Sequence, residues 1–379
     1  LNTGNSRGYL LLEDGRTFAG NLYGWQEETT GEVVFNTAMS GYQEVLYDPS
    51  YWNQIVIMTT AHIGNTGVNN HDNESRRPFI NGFAARSFTK SSNWRAERSL
   101  SDMLIDAKIP GIQGLDTRSV TKHLRQHGSM RGGIFHSDTK VAAALQTVLA
   151  SPSMDGMNGA AAVQCDSPYD WSHGTEKQWL GRSPVSQGKK FRVAVIDYGV
   201  KQNILRRLVD VGCAVKVYPY STNIKDVLAY KPDGILLSNG PGDPAAVSGA
   251  AESIRSVLGK IPIFGICLGH QLLAIAAGAS THKMKFGHRG INHPVGLDKT
   301  GRIIVSVHNH GFAVTRDSLP SSVNISLCSL NDDTVEGLDY PVQKAFSVQF
   351  HPEASPGPHD SSDLFVKFRS LMEQHASQN

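Results

Sequence analysis

The chain is short of cysteine, of charge imbalance and of long apolar runs, and each shortage removes a class of protein. Four cysteines in 379 residues (Cys165, Cys213, Cys267 and Cys328) stand far apart, with no Cys-X-X-Cys pair. That spacing argues against a disulfide-stapled scaffold or a cysteine zinc site and fits a reducing compartment. Net charge is +2, so no strong field draws nucleic acid or an anionic membrane surface. No apolar run approaches the roughly 18 residues of a membrane span. Neither a Gly-X4-Gly-Lys-Ser/Thr phosphate loop nor a strand-linked Gly-X-Gly-X-X-Gly occurs, which argues against nucleotide binding through a standard motif. The segment from Leu1 to Ser6 has no initiator methionine and no signal-peptide core. A cytoplasmic location is the default expectation, and the polar start is also compatible with a targeting peptide removed in an organelle.

What is present is an ordinary globular composition, 40% apolar and 18% charged, over a length that suits two to three domains. The clearest break is the polar, turn-rich stretch 173–190, read as a linker between a domain at 1–172 and another at 191–379. Lys189, Lys190 and Arg192 near its end suit a solvated strand start or a partner contact. The first domain opens with a hairpin around the Asp14-Gly15 turn. Further strands at 33–35 and 55–58 and helices near 100–107 and 117–126 predict an α+β domain, and spacing alone gives it no catalytic motif. The second domain alternates strands (191–197, 214–218, 234–237, 261–264) with helices (202–211, 251–258). This predicts an α/β, doubly wound, mostly parallel sheet with ligands at the carboxyl ends of its strands. From about Ser280 onward, runs at 303–307 and 346–350 suggest a more antiparallel edge, and 362–374 a closing helix.

The most informative stretch is Gly265-Ile266-Cys267-Leu268-Gly269 between an apolar strand and a helical pattern. A strand–tight turn–helix lifts the central side chain above the sheet, and flanking glycines remove the clashes of that geometry. The helix amino terminus favours a thiolate. An ordinary cysteine near pKa 8.5 needs about 2 kcal/mol of such help to be half ionised at neutral pH. A buried core cysteine is the plain alternative, and it describes Cys165, Cys213 and Cys328 well. Among fifteen histidines, His351 stands at the carboxyl end of a strand, followed by Pro352 and Glu353. Glu353 is spaced to fix its tautomer, completing a triad. A structural histidine is the alternative. The loop Ser238-Asn239-Gly240-Pro241-Gly242-Asp243-Pro244 follows another buried strand and could aim N–H groups at an oxyanion beside Leu268, or be a plain turn.

Taken in order, Asn239–Pro244, Gly265–Gln271 and Gln349–Glu353 resemble the class I (triad) glutamine amidotransferase family over about residues 191–375. Gly31–Thr37, Gly41–Val45 and Asp48–Tyr51 resemble the amino-terminal domain of carbamoyl-phosphate synthase small subunits. Lys283–His288, Asn292–Pro294, Asn309–Val314 and Pro352–Asp360 extend that resemblance over nearly the whole chain. It implies that L-glutamine is hydrolysed to glutamate and ammonia through a Cys267 thioester, with His351 moving the proton and Glu353 orienting it. It also implies that Ser50, Gly240, Gly242, Leu268, Gln271, Asn309, Gly311 and Phe312 hold glutamine, Ser50 coming from the first domain. No metal or cofactor is implied for this chain. ATP and Mg are expected on a large synthetase subunit, which takes the ammonia through a tunnel and makes carbamoyl phosphate for arginine and pyrimidine synthesis. Neither nucleic acid nor membrane is an expected partner. His288-Arg289-Gly290-Ile291 departs from the family's usual His-His-Gly-Gly, read as an adjusted loop away from the thiol. A free-standing cysteine hydrolase of γ-glutamyl compounds and a non-catalytic subunit are the competing readings. The long first domain opposes the former, and the intact Cys267, His351 and Glu353 oppose the latter.

Overall fold

A computed structural model of the chain describes residues 6–176, 190–297, 301 and 303–378. Of the expected linker only 173–176 and Lys190 are described, and 177–189 lies outside the described residues. The chain divides into two compact units, Leu1–Asp155 with Lys285–Gly290, and Gly156–Met284 with Ile291–Asn379.

The first unit is a closed barrel. Its strands are β1 (Arg7–Leu12), β2 (Thr17–Gly24), β3 (Thr29–Asn36), β4 (Gln54–Met58), β5 (Gly82–Ala85), β6 (Pro110–Gln113) and β7 (Met130–His136). They close in the order β1-β2-β6-β5-β4-β3-β7. Alternation along β1 shows how the sequence specifies it. Leu10 and Leu12 join one buried cluster with Val33, Ile55 and Ile134, while Tyr9 and Leu11 join another with Ala144 and Val148 of the helix Val141–Ala150. The expected hairpin is the β1–β2 pair, with Leu11 opposite Thr17.

The second unit is a ten-stranded sheet among the described residues. Its strands are β8 (Tyr169–Trp171), β9 (Phe191–Asp197), β10 (Cys213–Pro219), β11 (Gly234–Leu237), β12 (Ile263–Ile266), β13 (Thr281–Leu297), β14 (Ile303–Val314), β15 (Asn324–Ser329), β16 (Val335–Tyr340) and β17 (Ala345–Val348). The order is β14-β13-β15-β16-β17-β12-β11-β9-β10-β8, and β17, β12, β11, β9 and β10 run parallel. Both faces are buried, so successive residues of one strand serve opposite layers. Ala194 and Ile196 pack with the helices Ala250–Val257 and Leu268–Ala277. Val193 and Val195 pack with the helices Gln202–Asp210 and Leu364–Ala376. That is why these strands read as continuous apolar runs.

Three expectations need correction. The run at 346–350 is no antiparallel edge: β17 is a parallel neighbour of β12, and the antiparallel strands begin beyond it at β16. His288–Ile291 is not a loop but lies inside the seventeen-residue β13. There Arg289 is buried, its carbonyl accepting from the Thr37 N–H at 3.1 Å and its guanidinium donating to the Phe286 carbonyl at 2.7 Å. Finally, the units divide at Asp155/Gly156, upstream of the expected 172. Residues after 155 are tied to the second sheet, with β8 antiparallel to β10 and the Gly156 N–H donating to Asp243 at 3.0 Å.

Candidate active site

Cys267 sits where β12 turns into the helix Leu268–Ala277, with φ 55° and ψ −105°. An L-residue held there stores about 1–3 kcal/mol of backbone strain. The flanking glycines make the turn possible by close approach. A Cβ on Gly265 would stand 2.7 Å from the Gly269 carbonyl, and one on Gly269 would strike the Leu237 carbonyl of neighbouring β11. The Cys267 N–H continues the ladder to the Val348 carbonyl at 2.9 Å. Its sulfur lies 3.6 Å from the Asn309 carbonyl, to which the thiol donates, and 3.7 Å from the Gln349 side-chain amide. The residue is 2% exposed, at the positive end of a helix dipole.

The register of two parallel strands brings His351 to this sulfur. Phe264 of β12 is paired with Phe346 of β17, their rings stacked at 4.4 Å above Phe365 and Phe368 of the last helix. Such a stack adds about 0.5–1.5 kcal/mol beyond area burial. Counting on from that pair, Ile266 meets Val348, so Cys267 and the segment leading to His351 leave the sheet at the same carboxyl edge. The His351 N–H is anchored on the Val307 carbonyl at 2.8 Å.

His351 Nδ1 donates to Glu353 Oε1 at 2.8 Å, which leaves Nε2 as the working nitrogen. The Cys267 sulfur interacts with the ring both as a charge and as a hydrogen-bond partner. No nitrogen or oxygen competes for Nε2 among the described residues. Burial and the Lys201 ammonium push the imidazole down, yet Glu353 and Cys267 outweigh them and raise it to about 10. Burial would raise the Glu353 carboxyl, but Lys201 and His351 hold it down at about 2. The buried charges are therefore arranged to keep an imidazolium beside a carboxylate.

Lys201 is a member of this cluster that the motif reading did not name. Its Nζ lies 2.6 Å from the same Glu353 Oε1, and the neighbouring Asn203 side-chain amide donates to the Glu353 carbonyl. Lys201 follows β9, whose carboxyl end lies on the edge that carries Cys267. Strand polarity was the signal that could have found it.

The other predicted residues of this unit gather on the same elements. Ser238 Oγ accepts from the Tyr198 N–H at 2.9 Å, and Asn239 Oδ1 from the Lys201 N–H at 3.1 Å, which docks the 238–242 loop on the turn after β9. Gly240 packs so tightly that a Cβ would strike the Tyr198 carbonyl, and Gly242 has φ 95°. Leu268 is the first residue of the nucleophile's helix, one turn before Gln271. The Gln271 amide donates to the Phe312 carbonyl at 2.8 Å and to Gln349 Oε1 at 2.9 Å, joining the helix to β14, which carries Asn309, Gly311 and Phe312. Ser50 lies in the first unit, in the short 3-10 turn Pro49–Tyr51, its N–H donating to Asp48 at 2.9 Å. His270 is set apart from the chemistry: its Nδ1 is 2.8 Å from Ser347 Oγ, and burial pushes it down to about 3. Cys165, Cys213 and Cys328 form no disulfide, and no described helix is long and apolar enough to cross a membrane.

Comparison with known proteins addresses the chain as a whole. The profile of the glutamine amidotransferase class-I family matches residues 194–371, and that of the carbamoyl-phosphate synthase small chain, CPSase domain, matches 10–134. A carbamoyl phosphate synthase small chain from Syntrophotalea carbinolica is 47% identical over 97% of this chain and 98% of its own. One from Synechocystis sp. is 48% identical over 97% of each. The chloroplastic small chain of Arabidopsis thaliana is 44% identical over 96% of this chain and 85% of its own. With both domains matched and relatives aligned end to end, the chain belongs to the carbamoyl phosphate synthase small chain family, its second half a class I glutamine amidotransferase domain.

Proposed function

We propose that Cys267 attacks the side-chain carboxamide carbon of L-glutamine and that His351 and Glu353 serve it as base and orienting carboxylate. Family membership makes the chain the glutaminase subunit of a carbamoyl phosphate synthase, serving arginine and pyrimidine biosynthesis. The observation that carries the residue assignment is the Cys267 elbow, strained at φ 55° beside an imidazole already bonded to Glu353.

In the first half-reaction the Cys267 thiol gives its proton to His351 Nε2, its sulfur bonds to the carboxamide carbon, and the carbonyl oxygen becomes an oxyanion. The N–H groups of Leu268 and Gly240 are the proposed donors to it, and losing one such donor costs about 3–4 kcal/mol. His351 Nε2–H then protonates the leaving nitrogen, the C–N bond breaks, and ammonia departs from a thioester. In the second half, water gives a proton to Nε2 and attacks the thioester carbon. The C–S bond then breaks, glutamate leaves, and the Nε2 proton returns to the Cys267 sulfur. Gly242, Gln271, Asn309, Gly311 and Phe312 are proposed to hold the substrate, supported by their placement on the elements around the thiol. For Ser50 the support is the resemblance of its segment.

The proposed partner is the large synthetase subunit, which receives the ammonia and holds the ATP and Mg needed to join it to bicarbonate. The first unit is proposed to contribute to that contact. A cytoplasmic location remains the proposal, and the chloroplastic relatives of rice and Arabidopsis thaliana make an organelle the alternative.

The deciding experiment measures glutamate release by this chain alone, and then with a large subunit, bicarbonate and MgATP. Strong stimulation with carbamoyl phosphate formed supports the reading. Equal rates with and without the partner would favour a free-standing hydrolase, and a silent chain in both assays a non-catalytic subunit.

A further inference from the structure

The sulfur of Cys267 has a neighbour to which the proposed hydrolysis gives no part. Gln349 is wholly buried just past β17, two residues before His351, with its backbone N–H bonded to the Glu336 carbonyl at 2.9 Å. Its side-chain amide nitrogen stands 3.7 Å from Cys267 Sγ. That length suits a hydrogen bond to sulfur, whose radius exceeds that of oxygen.

The direction of this amide follows from its neighbours. The Phe312 carbonyl can only accept, so the Gln271 atom 2.8 Å from it is the NH2 group. The second hydrogen of the same NH2 group reaches Gln349 at 2.9 Å, and the Gln349 atom that receives it must be the oxygen. The NH2 group of Gln349 is thereby turned onto the sulfur, and among the described residues it has no other partner.

The two protonation states of the sulfur are therefore served by opposite partners. The Asn309 carbonyl, 3.6 Å away, accepts from the S–H and favours the neutral thiol. An amide N–H buried against a neutral thiol is poorly satisfied, because that sulfur is a weak acceptor. It gains a full partner when the proton leaves, since hydrogen bonds to an ionised group are about twice as strong as neutral ones. Gln349 thus stabilises the thiolate more than the thiol. The charged groups on this side are the His351 imidazole, with Glu353 and Lys201 behind it. An apolar side chain of the same length would fill the space without this bias.

We infer that Gln349 donates a hydrogen bond to the Cys267 thiolate formed when the thiol passes its proton to His351, and that Gln271 and the Phe312 carbonyl hold the donor in aim. The S–H bond breaks, its electron pair stays on sulfur, the proton moves to Nε2, and the new negative charge receives the Gln349 N–H. This role deepens the proposed hydrolysis and rests on Cys267 being its nucleophile. Gln271 and Phe312 are also among the residues proposed to hold glutamine, so the substrate's pocket and the donor share one hydrogen-bonded chain.

The test reads the thiolate without glutamine. The full chain is alkylated with iodoacetamide over a range of pH, and the Cys267 peptide is followed by mass spectrometry. In Gln349→Met, which keeps the length and loses the N–H, the rate profile should move to higher pH by about one to two units. Rates should converge at alkaline pH, where the thiol is ionised in both proteins, whereas a merely structural change would alter them throughout. Gln271→Met, which frees the amide to turn, should move the profile the same way. An unmoved profile in folded Gln349→Met overturns the inference, as does a rate change equal at every pH. If circular dichroism shows that variant unfolded, Gln349→Leu and Gln271→Met decide on the same terms. Glutamine hydrolysis that survives Cys267→Ser would instead overturn the nucleophile, and with it any part for Gln349 in the reaction, whatever the alkylation profile shows.

Discussion

Lys201 Nζ and His351 Nδ1 meet on a single oxygen, Glu353 Oε1, at 2.6 and 2.8 Å. The lysine side chain is 8% exposed and the glutamate wholly buried, so water does little to screen either charge. The carboxylate is thus shared between a fixed cation and His351, the proposed base.

Removing the fixed cation should be costly for the fold. Breaking a buried ion pair from one side typically costs about 3–5 kcal/mol, because the remaining charge stays buried. Lys201→Met is expected to lose about 3 kcal/mol in urea unfolding and to raise the Glu353 carboxyl, which Lys201 helps hold down. A variant as stable as the parent would show that the pair contributes nothing.

Glu353→Gln should reverse a pH slope. The parent's raised His351 contributes stability that is fully present below its unfolded 6.5 and lost as pH rises through about 10. Its depressed Glu353 contributes above 4.5 and loses that contribution as pH falls through about 2. The pair therefore stabilises most between about 4.5 and 6.5. With glutamine at 353, burial and Lys201 push the imidazole down without their main opponent. This residue's contribution should then grow as pH rises through 6.5 instead of fading. Urea midpoints from pH 5 to 10, parent against variant, give the sign directly, and parallel profiles would remove Glu353 from control of His351.

The elbow predicts an inverted ranking of small side chains at 267. Glycine elsewhere is less stable than alanine by roughly 0.5–1 kcal/mol. At φ 55° the Cβ is the strained group, so Cys267→Gly should be more stable than Cys267→Ala by about 1 kcal/mol. Both should lose glutamine hydrolysis by about four orders of magnitude or more. The normal ranking in thermal unfolding would mean the turn relaxes without strain.

Ser50→Ala tests the part of the site that rests on resemblance. The expected outcome is a raised KM for glutamine with an unaltered fold, and unchanged KM and kcat would remove Ser50 from the substrate's surroundings.

What could be read from the sequence follows how local each feature is. Strands β9 and β11 are apolar runs bounded by turn formers, and the expected limits coincide with the observed ones. Cys267, His351 and Glu353 each sit in a short motif with its own geometric logic. The barrel was not legible, because β5 and β6 are four residues each, rich in glycine or proline, and acquire strand character only from distant partners. Lys201 escaped for the same reason. Nothing near it in the chain announces a role, and only the parallel alignment of β9 with β11, and β11 with β12, carries its loop to the nucleophile's edge.

The return of Lys285–Gly290 to the first unit sets a timetable for synthesis. The Lys285 carbonyl takes the N–H of Ser129, and Phe286 lies 5.9 Å from Phe35, so the barrel's own packing waits for a hexapeptide encoded far downstream. At roughly 5–20 residues per second, a ribosome needs about 7–27 s to travel from Asp155 to Gly290. During that interval the nascent barrel stands unfinished while most of the second unit is emerging. Until Gly290 has been added, the first unit lacks the segment that gives Ser129 and Phe35 these partners.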